Sequence, residues 1–173
     1  MRRRVGTSLY AGFLFVVLGA IAWATGQPFV FPSLGPTAFL LAFDRRLDRS
    51  RAAKIVVAHV IGVAAGLAAW SLVAAGVSLT ATPPAFSPEG FRLAASATVS
   101  VMATTWAMIA TDTVHAPACA TTLIVSLGLL STTLQTAVIV GGVIVLVGVH
   151  ALVIRAFKRL VGDAHPAYRA DKD

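Results

Sequence analysis

The sequence predicts an all-α polytopic membrane protein of one domain, with two inverted halves of three helical segments each. Three features predict it: the composition, the distribution of basic residues and a pair of proline-broken apolar segments. Hydrophobic residues make up 57% of the 173-residue chain and charged residues only 12%. Soluble domains do not show this balance. A separate soluble catalytic module is therefore excluded, and the net charge of +7 does not indicate nucleic-acid binding.

The basic residues predict the topology. Of the 14 Lys and Arg residues, all but Arg92 fall in three clusters, within residues 2–4, 45–54 and 155–172. Basic residues next to membrane spans lie in the cytoplasm. Two crossings then fit between the first two clusters and four between the last two, so both termini are cytoplasmic. We expect an integral protein of the bacterial inner (plasma) membrane.

The first proline-broken segment, residues 27–43, is apolar but carries Pro28, Pro32 and Pro36. A proline inside a helix removes a backbone hydrogen bond and keeps the preceding residue out of helical geometry. A helix is therefore predicted to start only near Gly35-Pro36 and to reach Phe43, a length of roughly 13 Å. Because a hydrocarbon core is about 30 Å thick, this half-helix should begin near the middle of the membrane.

The same device recurs in residues 112–130, since a shift of 81 positions lays Pro36 on Pro117. Each broken segment lies between two long apolar helices, as in an internal repeat of a transporter. Three segments per half invert the second half relative to the first. The alternative is two unrelated short helices that both carry proline. The sequence thus predicts one transmembrane domain over 1–173, with repeat 1 at about 7–76, an external linker at 77–90, repeat 2 at about 91–157 and a cytoplasmic tail at 158–173.

The amino-terminal segment and a pair of glycines in the second long helix can each be interpreted in two ways. The basic start, apolar run and Ala22-Trp23-Ala24 resemble a cleavable signal peptide. The run is longer than a usual signal core, however, and cleavage would delete a helix of the repeat, so a retained helix is expected. Gly62-x-x-x-Gly66 allows close helix packing, either within the chain, as we expect, or between subunits of a homo-oligomer.

The second broken segment contains His115-Ala116-Pro117, followed by Ala118-Cys119-Ala120-Thr121-Thr122. Together with the stretch FPSLGPTA at 31–38 and with Ala58-His59, it resembles the HPP family of integral membrane proteins, named for a His-Pro-Pro motif. Ala116 replaces the first proline of that motif. The resemblance covers roughly residues 10–155 and implies four spanning helices. It also implies transport, since some plant and cyanobacterial relatives are linked to nitrite.

The two predicted half-helix starts favour an anion, because helix amino ends carry free amides and a positive dipole end. Non-helical backbone at membrane depth lies in protein or lines a water-filled cavity. We therefore predict a membrane transporter or channel for a small inorganic anion, nitrite- or nitrate-like, surrounded by the lipid bilayer. The predicted substrate-binding residues are Ser33, Gly35, Pro36, Thr37, His115, Ala116, Pro117, Ala118, Cys119 and Thr121. Thr122 is a further hydroxyl donor.

His115 has two readings. Protonation would place a positive charge beside the anion and couple proton movement to transport. Alternatively, a neutral ring fixes the turn by bonding a carbonyl, with Asp112 as partner or helix-end residue. His59 and His150 lie inside long helices and are predicted to be packing or hydrogen-bonding groups.

No enzyme is predicted. Asp112, His115 and Cys119 have a loosely metal-like spacing but match no ligand pattern, and no hydrolase signature occurs. No metal or cofactor is expected. The alternative function is a non-transporting structural or accessory membrane subunit. Polar, unwound segments favour transport, because scaffolding requires neither feature.

Overall fold

The structure is a computed structural model that describes residues 2–44 and 49–161. This part of the chain is all-helical and contains six helices: α1 Arg2–Thr25, α2 Leu34–Phe43, α3 Arg49–Val73, α4 Pro88–Ala110, α5 Pro117–Ser126 and α6 Thr133–Val161. The predicted four long helices and two short ones are confirmed. α1, α3, α4 and α6 are long and apolar enough to cross a membrane, whereas α2 and α5 have ten residues each. Part of the predicted basic loop and most of the tail lie outside the described residues.

The helix starts follow from the prolines and caps. Residues 26–31 are not helical, and α2 begins at Leu34, one residue before the predicted start. α5 begins at Pro117, where a missing amide costs nothing. α4 begins at Pro88, three residues earlier than predicted. Ser87 caps it by accepting a hydrogen bond from the Gly90 amide at 3.2 Å, which satisfies one free donor of the first turn.

α3 and α4 are antiparallel neighbours. Near the start of α3, Lys54 Nζ lies 2.6 Å from Asp112 Oδ2, just beyond the end of α4. At the other end of the pair, Arg92 near the start of α4 donates to the Val73 carbonyl at the end of α3. We call the end of the bundle with Lys54 the basic end and the end with Arg92 the opposite end.

α1 and α6 are also antiparallel. Tyr10 Oη lies 2.8 Å from His150 Nδ1. Farther along α1, Phe15 lies beside Gly35 of α2. Leu34, which precedes Gly35, packs against Gly142 of α6. The start of α1 and the end of α6 therefore lie at the same end of this helix pair. α6 continues to Val161, four residues past the predicted end, and its last turn carries Lys158 and Arg159, which complement the helix dipole there.

The two short helices begin at a similar depth and run in opposite directions. α2 ends at the basic end, where Asp44 forms an ion pair with Arg51 of α3. α5 runs parallel to the second half of α3. A methyl group added at Gly62 would lie 2.7 Å from the Ala118 carbonyl oxygen, and one at Gly66 would lie 2.9 Å from Val125 Cβ. The small-residue pair of α3 therefore packs within the chain, as expected from the sequence.

The core is apolar and so is much of the outside. Leu14 and Leu18 of α1 are buried with Leu34, Leu41 and residues of α3, α5 and α6. Large apolar side chains such as Leu72, Trp106 and Leu152 are exposed on the exterior. An apolar exterior on helices of this length suits a bilayer.

Candidate functional site

Five polar side chains are buried where α2, α3 and α5 meet the connection before α5. We call this group the polar cluster; its members are Ser33, Thr37, His59, His115 and Thr121. Four of them have no exposed surface, and His115 is 8% exposed. Buried polar groups are costly unless they are hydrogen-bonded, so each of these side chains needs a hydrogen-bond partner inside the bundle.

The cluster supplies its own partners. Thr37 Oγ1 lies 3.1 Å from His115 Nε2 and 3.3 Å from His59 Nε2, and it donates to the Ser33 carbonyl at 3.0 Å. On the other side of the His59 ring, Nδ1 lies 2.7 Å from Thr121 Oγ1. Thr121 in turn donates to Ser33 Oγ at 2.7 Å. One chain of hydrogen bonds therefore joins the starts of both short helices to α3.

The backbone brings His115 to His59. After α4, Asp112 adopts a left-handed conformation with φ of 52°, and the Thr113 amide bonds the Met108 carbonyl at 2.9 Å. The chain thus leaves the basic end and returns into the bundle without forming a helix until Pro117. The His115 ring then lies 5.3 Å from the His59 ring, between centroids.

The remaining predicted site residues surround the cluster without joining its hydrogen bonds. Pro117 and Ala118 are buried, Gly35 and Cys119 are half-buried, and Pro36 and Ala116 are exposed. In the first turn of α5, the Ala118 and Cys119 amides bond the His115 and Ala116 carbonyls at 2.9 and 3.0 Å. These two amides are therefore used inside the first turn of α5 and do not face the cluster as free donors.

His59 is the cluster member that was not predicted as a site residue. As expected, it is a hydrogen-bonding group inside α3, but it also bridges the two short helices. One sequence signal was available, because an ionisable residue inside a membrane helix is costly and marks function. That signal does not show which helices His59 contacts or which hydroxyl groups bond its ring.

A second row of hydroxyl groups joins α4 to α5. Thr104 and Thr122 share a hydrogen bond of 2.8 Å, and Ser96 donates to the Ser126 carbonyl at 2.8 Å. Ser96, Ser100 and Thr104 recur every fourth residue on the buried face of α4. Interhelical hydrogen bonds of this kind hold membrane helices together, so we assign this row to packing.

The loosely metal-like trio does not converge. Asp112 faces Lys54 on the outside, with 89% of its side chain exposed, while His115 faces Thr37 inside. No group of three His, Cys, Asp or Glu side chains could hold a metal ion within residues 2–44 and 49–161. The hydrogen bond and positive charge of Lys54 lower the pKa of Asp112, so Asp112 is an ionised surface group.

Comparison with known proteins places the chain in a family. Searches of curated proteins and of solved structures found no match. The family model described as "HPP, transmembrane region" matches residues 2–163, which include all six helices and the whole polar cluster. With four long apolar helices and a match over nearly its full length, the chain belongs to the HPP family of transmembrane proteins.

Proposed function

We propose that this membrane protein transports a small inorganic anion, nitrite- or nitrate-like, through the polar cluster. The observation that carries the proposal is the cluster itself. Five hydrogen-bonded polar side chains, two of them imidazoles, are buried together where two short helices begin. Membrane proteins concentrate polar groups at such depth along the route of a ligand or ion, and broken helices near the midplane form the binding sites of many transporters.

The proposed orientation places the basic end in the cytoplasm of a bacterial inner membrane, with both termini inside. Arg4 near the start of α1 and Arg159 near the end of α6 lie at the same end of that helix pair, and Lys54 lies at the end of the α3–α4 pair away from Arg92. Arg92 lies at the opposite end of the α3–α4 pair, bonded to carbonyls at and just beyond the end of α3. This distribution supports the orientation by the positive-inside rule.

We also propose that the helices form an inverted repeat, α1–α3 against α4–α6. The opposite directions of α2 and α5 from a shared starting depth support it. Such repeats exchange access to a central site by movement of one half against the other. The polar cluster lies between the halves, because Ser33, Thr37 and His59 come from the first and His115 and Thr121 from the second.

Recognition of the anion would use hydroxyl and imidazole hydrogens. No Lys or Arg belongs to the cluster, and a site without a fixed cation binds weakly enough to release its ligand. Gly35 leaves room beside Thr37, since a methyl group added there would meet only Phe15 Cζ, at 3.9 Å. We place the anion against this half-exposed backbone and the adjacent hydroxyl groups.

Uptake by proteoliposomes tests the proposal. The purified protein should take up nitrite or nitrate faster than protein-free liposomes do, in a panel that also includes chloride, formate and sulfate. Gly35→Ala should insert and fold like the parent, because the added methyl group fits. It should nevertheless slow uptake by crowding the anion.

His115→Ala should also lower uptake or abolish its dependence on external pH. Gly12→Ala is the matched control, because a methyl group there meets nothing within 4 Å and α1 lies outside the cluster. If the parent moves no anion of the panel, an accessory membrane subunit becomes the better assignment. If Gly35→Ala and His115→Ala both transport at the parent rate, the site lies elsewhere.

A further inference from the structure

We propose that His59 is the proton-binding residue of this protein and that the polar cluster binds one proton together with one anion. Transport would then be anion–proton symport, electrically neutral for a monovalent anion. This inference rests on the proposed function and adds to it the coupling ion, the stoichiometry and a residue, His59. It is carried by the number of hydrogens that the cluster's contacts require.

The Thr37 hydroxyl sets the first part of the count. A threonine hydroxyl donates one hydrogen and accepts two hydrogen bonds. The Ser33 carbonyl oxygen, 3.0 Å from Thr37 Oγ1, can only accept, so the Thr37 hydrogen is donated to it. The Nε2 atoms of His59 and His115 must then both carry hydrogens that they donate to Thr37.

The Thr121 hydroxyl sets the second part. It donates its hydrogen to Ser33 Oγ, so its 2.7 Å contact with His59 Nδ1 requires a hydrogen on that nitrogen. His59 thus carries a hydrogen on each ring nitrogen when all five contacts are hydrogen bonds. That form of the ring is the imidazolium cation. If His59 loses the Nε2 hydrogen, Thr37 must turn from the Ser33 carbonyl to His59, and one hydrogen bond is lost.

A cation at this position needs an opposite charge. His59 has no exposed surface, and a buried charge is costly unless it is paired. Among the described residues no carboxylate reaches it: Asp44 pairs with Arg51 and Asp112 with Lys54, while Glu89 lies in the first turn of α4 at the opposite end. A small anion entering at Gly35 and Thr37 would supply the missing negative charge.

The elements packed around His59 carry few other charged or titratable groups. α2 carries none, and α5 carries only Cys119. The connection before α5 contributes Asp112 and His115; α4 contributes Glu89 and Arg92, and α6 contributes His150 and its terminal basic residues. On α3 itself, Arg51 is paired with Asp44 and Lys54 with Asp112.

His115 provides the route for the proton. It is the only cluster member with exposed surface, and no hydrogen bond joins its Nδ1 to the described residues. A proton taken up at Nδ1 allows the Nε2 hydrogen to pass to Thr37 while the Thr37 hydrogen passes to His59 Nε2. One proton moves inward in total, and His115 is left neutral with its hydrogen on Nδ1. Its partly exposed ring must then exchange that hydrogen with the solvent for one on Nε2 before Thr37 can again accept from both rings.

Binding of the proton and of the anion is then reciprocal. Each ligand increases the affinity for the other by the same factor, typically about 5- to 150-fold. Lower pH therefore strengthens anion binding, and anion binding draws a proton from the solvent. A proton without an anion, or an anion without a proton, leaves an unpaired charge in the bundle, which opposes leakage of either alone.

Proton uptake on anion binding tests His59 without any transport measurement. Sodium nitrite added to the purified protein in weakly buffered detergent solution should raise the pH by up to one proton per chain, and sodium gluconate should not. His59→Gln should abolish the uptake. His150→Gln is the matched control, because His150 is also fully buried in a long helix but lies outside the cluster, beside Tyr10.

The driving force tests the symport. In proteoliposomes, an acidic exterior should accelerate nitrite uptake above that of protein-free liposomes, and a membrane potential without a pH gradient should not. Thr37→Val should abolish the stimulation by pH because it breaks the link between the two rings. Thr37→Ser keeps the hydroxyl and should therefore still be stimulated by an acidic exterior. If His59→Gln does not fold, Thr121→Val, which removes the acceptor of Nδ1, should abolish the proton uptake in its place.

Three results would overturn the inference. The first is proton uptake that persists in folded His59→Gln protein. The second is nitrite uptake driven by the potential and indifferent to pH, which would leave the proposed transport intact but remove the symport. The third is proton uptake at His59 in a protein that moves no anion of the panel. That result would remove the proposed transport and leave His59 only as a proton-binding residue.

Discussion

At the residue scale, the Thr37 hydroxyl has the largest share of the cluster's contacts. It lies within hydrogen-bonding distance of two imidazole rings and donates to a backbone carbonyl. Valine has nearly the same shape as threonine but no hydroxyl, so a substitution to valine separates hydrogen bonding from packing. Leaving a buried donor without an acceptor costs about 1–3 kcal/mol.

We therefore expect Thr37→Val to lower the free energy of unfolding by about 1–3 kcal/mol, measured by denaturant titration in detergent. Thr37→Ser should recover most of the loss. Thr98→Val is the control, since Thr98 is exposed on α4 and bonds only the Ala94 carbonyl of its own helix. A Thr37→Val protein as stable as the parent would mean that the cluster's hydrogen bonds contribute nothing to folding.

A second residue-scale prediction concerns Asp112. Lys54 lowers its pKa below the ordinary 3.8, so the folded state favours the ionised carboxylate. The stabilisation from this pair is fully present above pH 3.8 and disappears as the pH falls through the lower folded value. Asp112→Asn should therefore reduce the melting temperature slightly at pH 6 and make no difference at strongly acidic pH. A difference that persists in acid would point to a role other than the ion pair.

At the element scale, the contact of α3 with α5 sets the depth at which α5 begins. Gly62 faces the Ala118 carbonyl and the Thr122 hydroxyl, and Gly66 faces the Thr122 carbonyl and Val125. Only a residue without a side chain allows this approach. Because His59 lies one turn before Gly62 on α3, the same contact brings Thr121 to the His59 ring.

Gly62→Ala should consequently separate α3 from α5. The added methyl group would lie 2.7 Å from a backbone oxygen, which a side-chain rotation cannot relieve, and overpacking of this kind costs about 1–3 kcal/mol. Gly148→Ala is the matched control, because nothing lies within 4 Å there and alanine favours a helix over glycine by about 1 kcal/mol. Equal melting temperatures for the two variants would contradict the close contact.

At the scale of the whole molecule, the ends of the bundle differ in charge. Lys54 and Arg51 lie near one end of α3, whereas Arg92 bonds the Val73 and Ala75 carbonyls at the other. The proposed orientation follows from this asymmetry, and α1 contributes to the core through Leu14 and Leu18. Both features agree with a first helix that is retained.

Reporter fusions test the orientation. Fusions after Asp48 and after Lys172 should report the cytoplasm, and a fusion at Pro84 should report the exterior. Sequencing of the mature amino terminus should find α1 present. A mature chain that starts at Thr25 would establish a cleaved signal peptide and eliminate the six-segment repeat.

The sequence by itself determined the membrane class, the four long helices and the two short ones, because hydropathy, helix length and proline chemistry act locally along the chain. It also identified Ser33, Thr37, His115 and Thr121 as polar residues beside the helix breaks. Only the tertiary structure decided that His59 joins them and that the Ala118 and Cys119 amides are used inside their own turn. The approach of Gly62 to α5 and the left-handed turn at Asp112 bring these groups together, and such long-range contacts leave no periodic signal in the sequence.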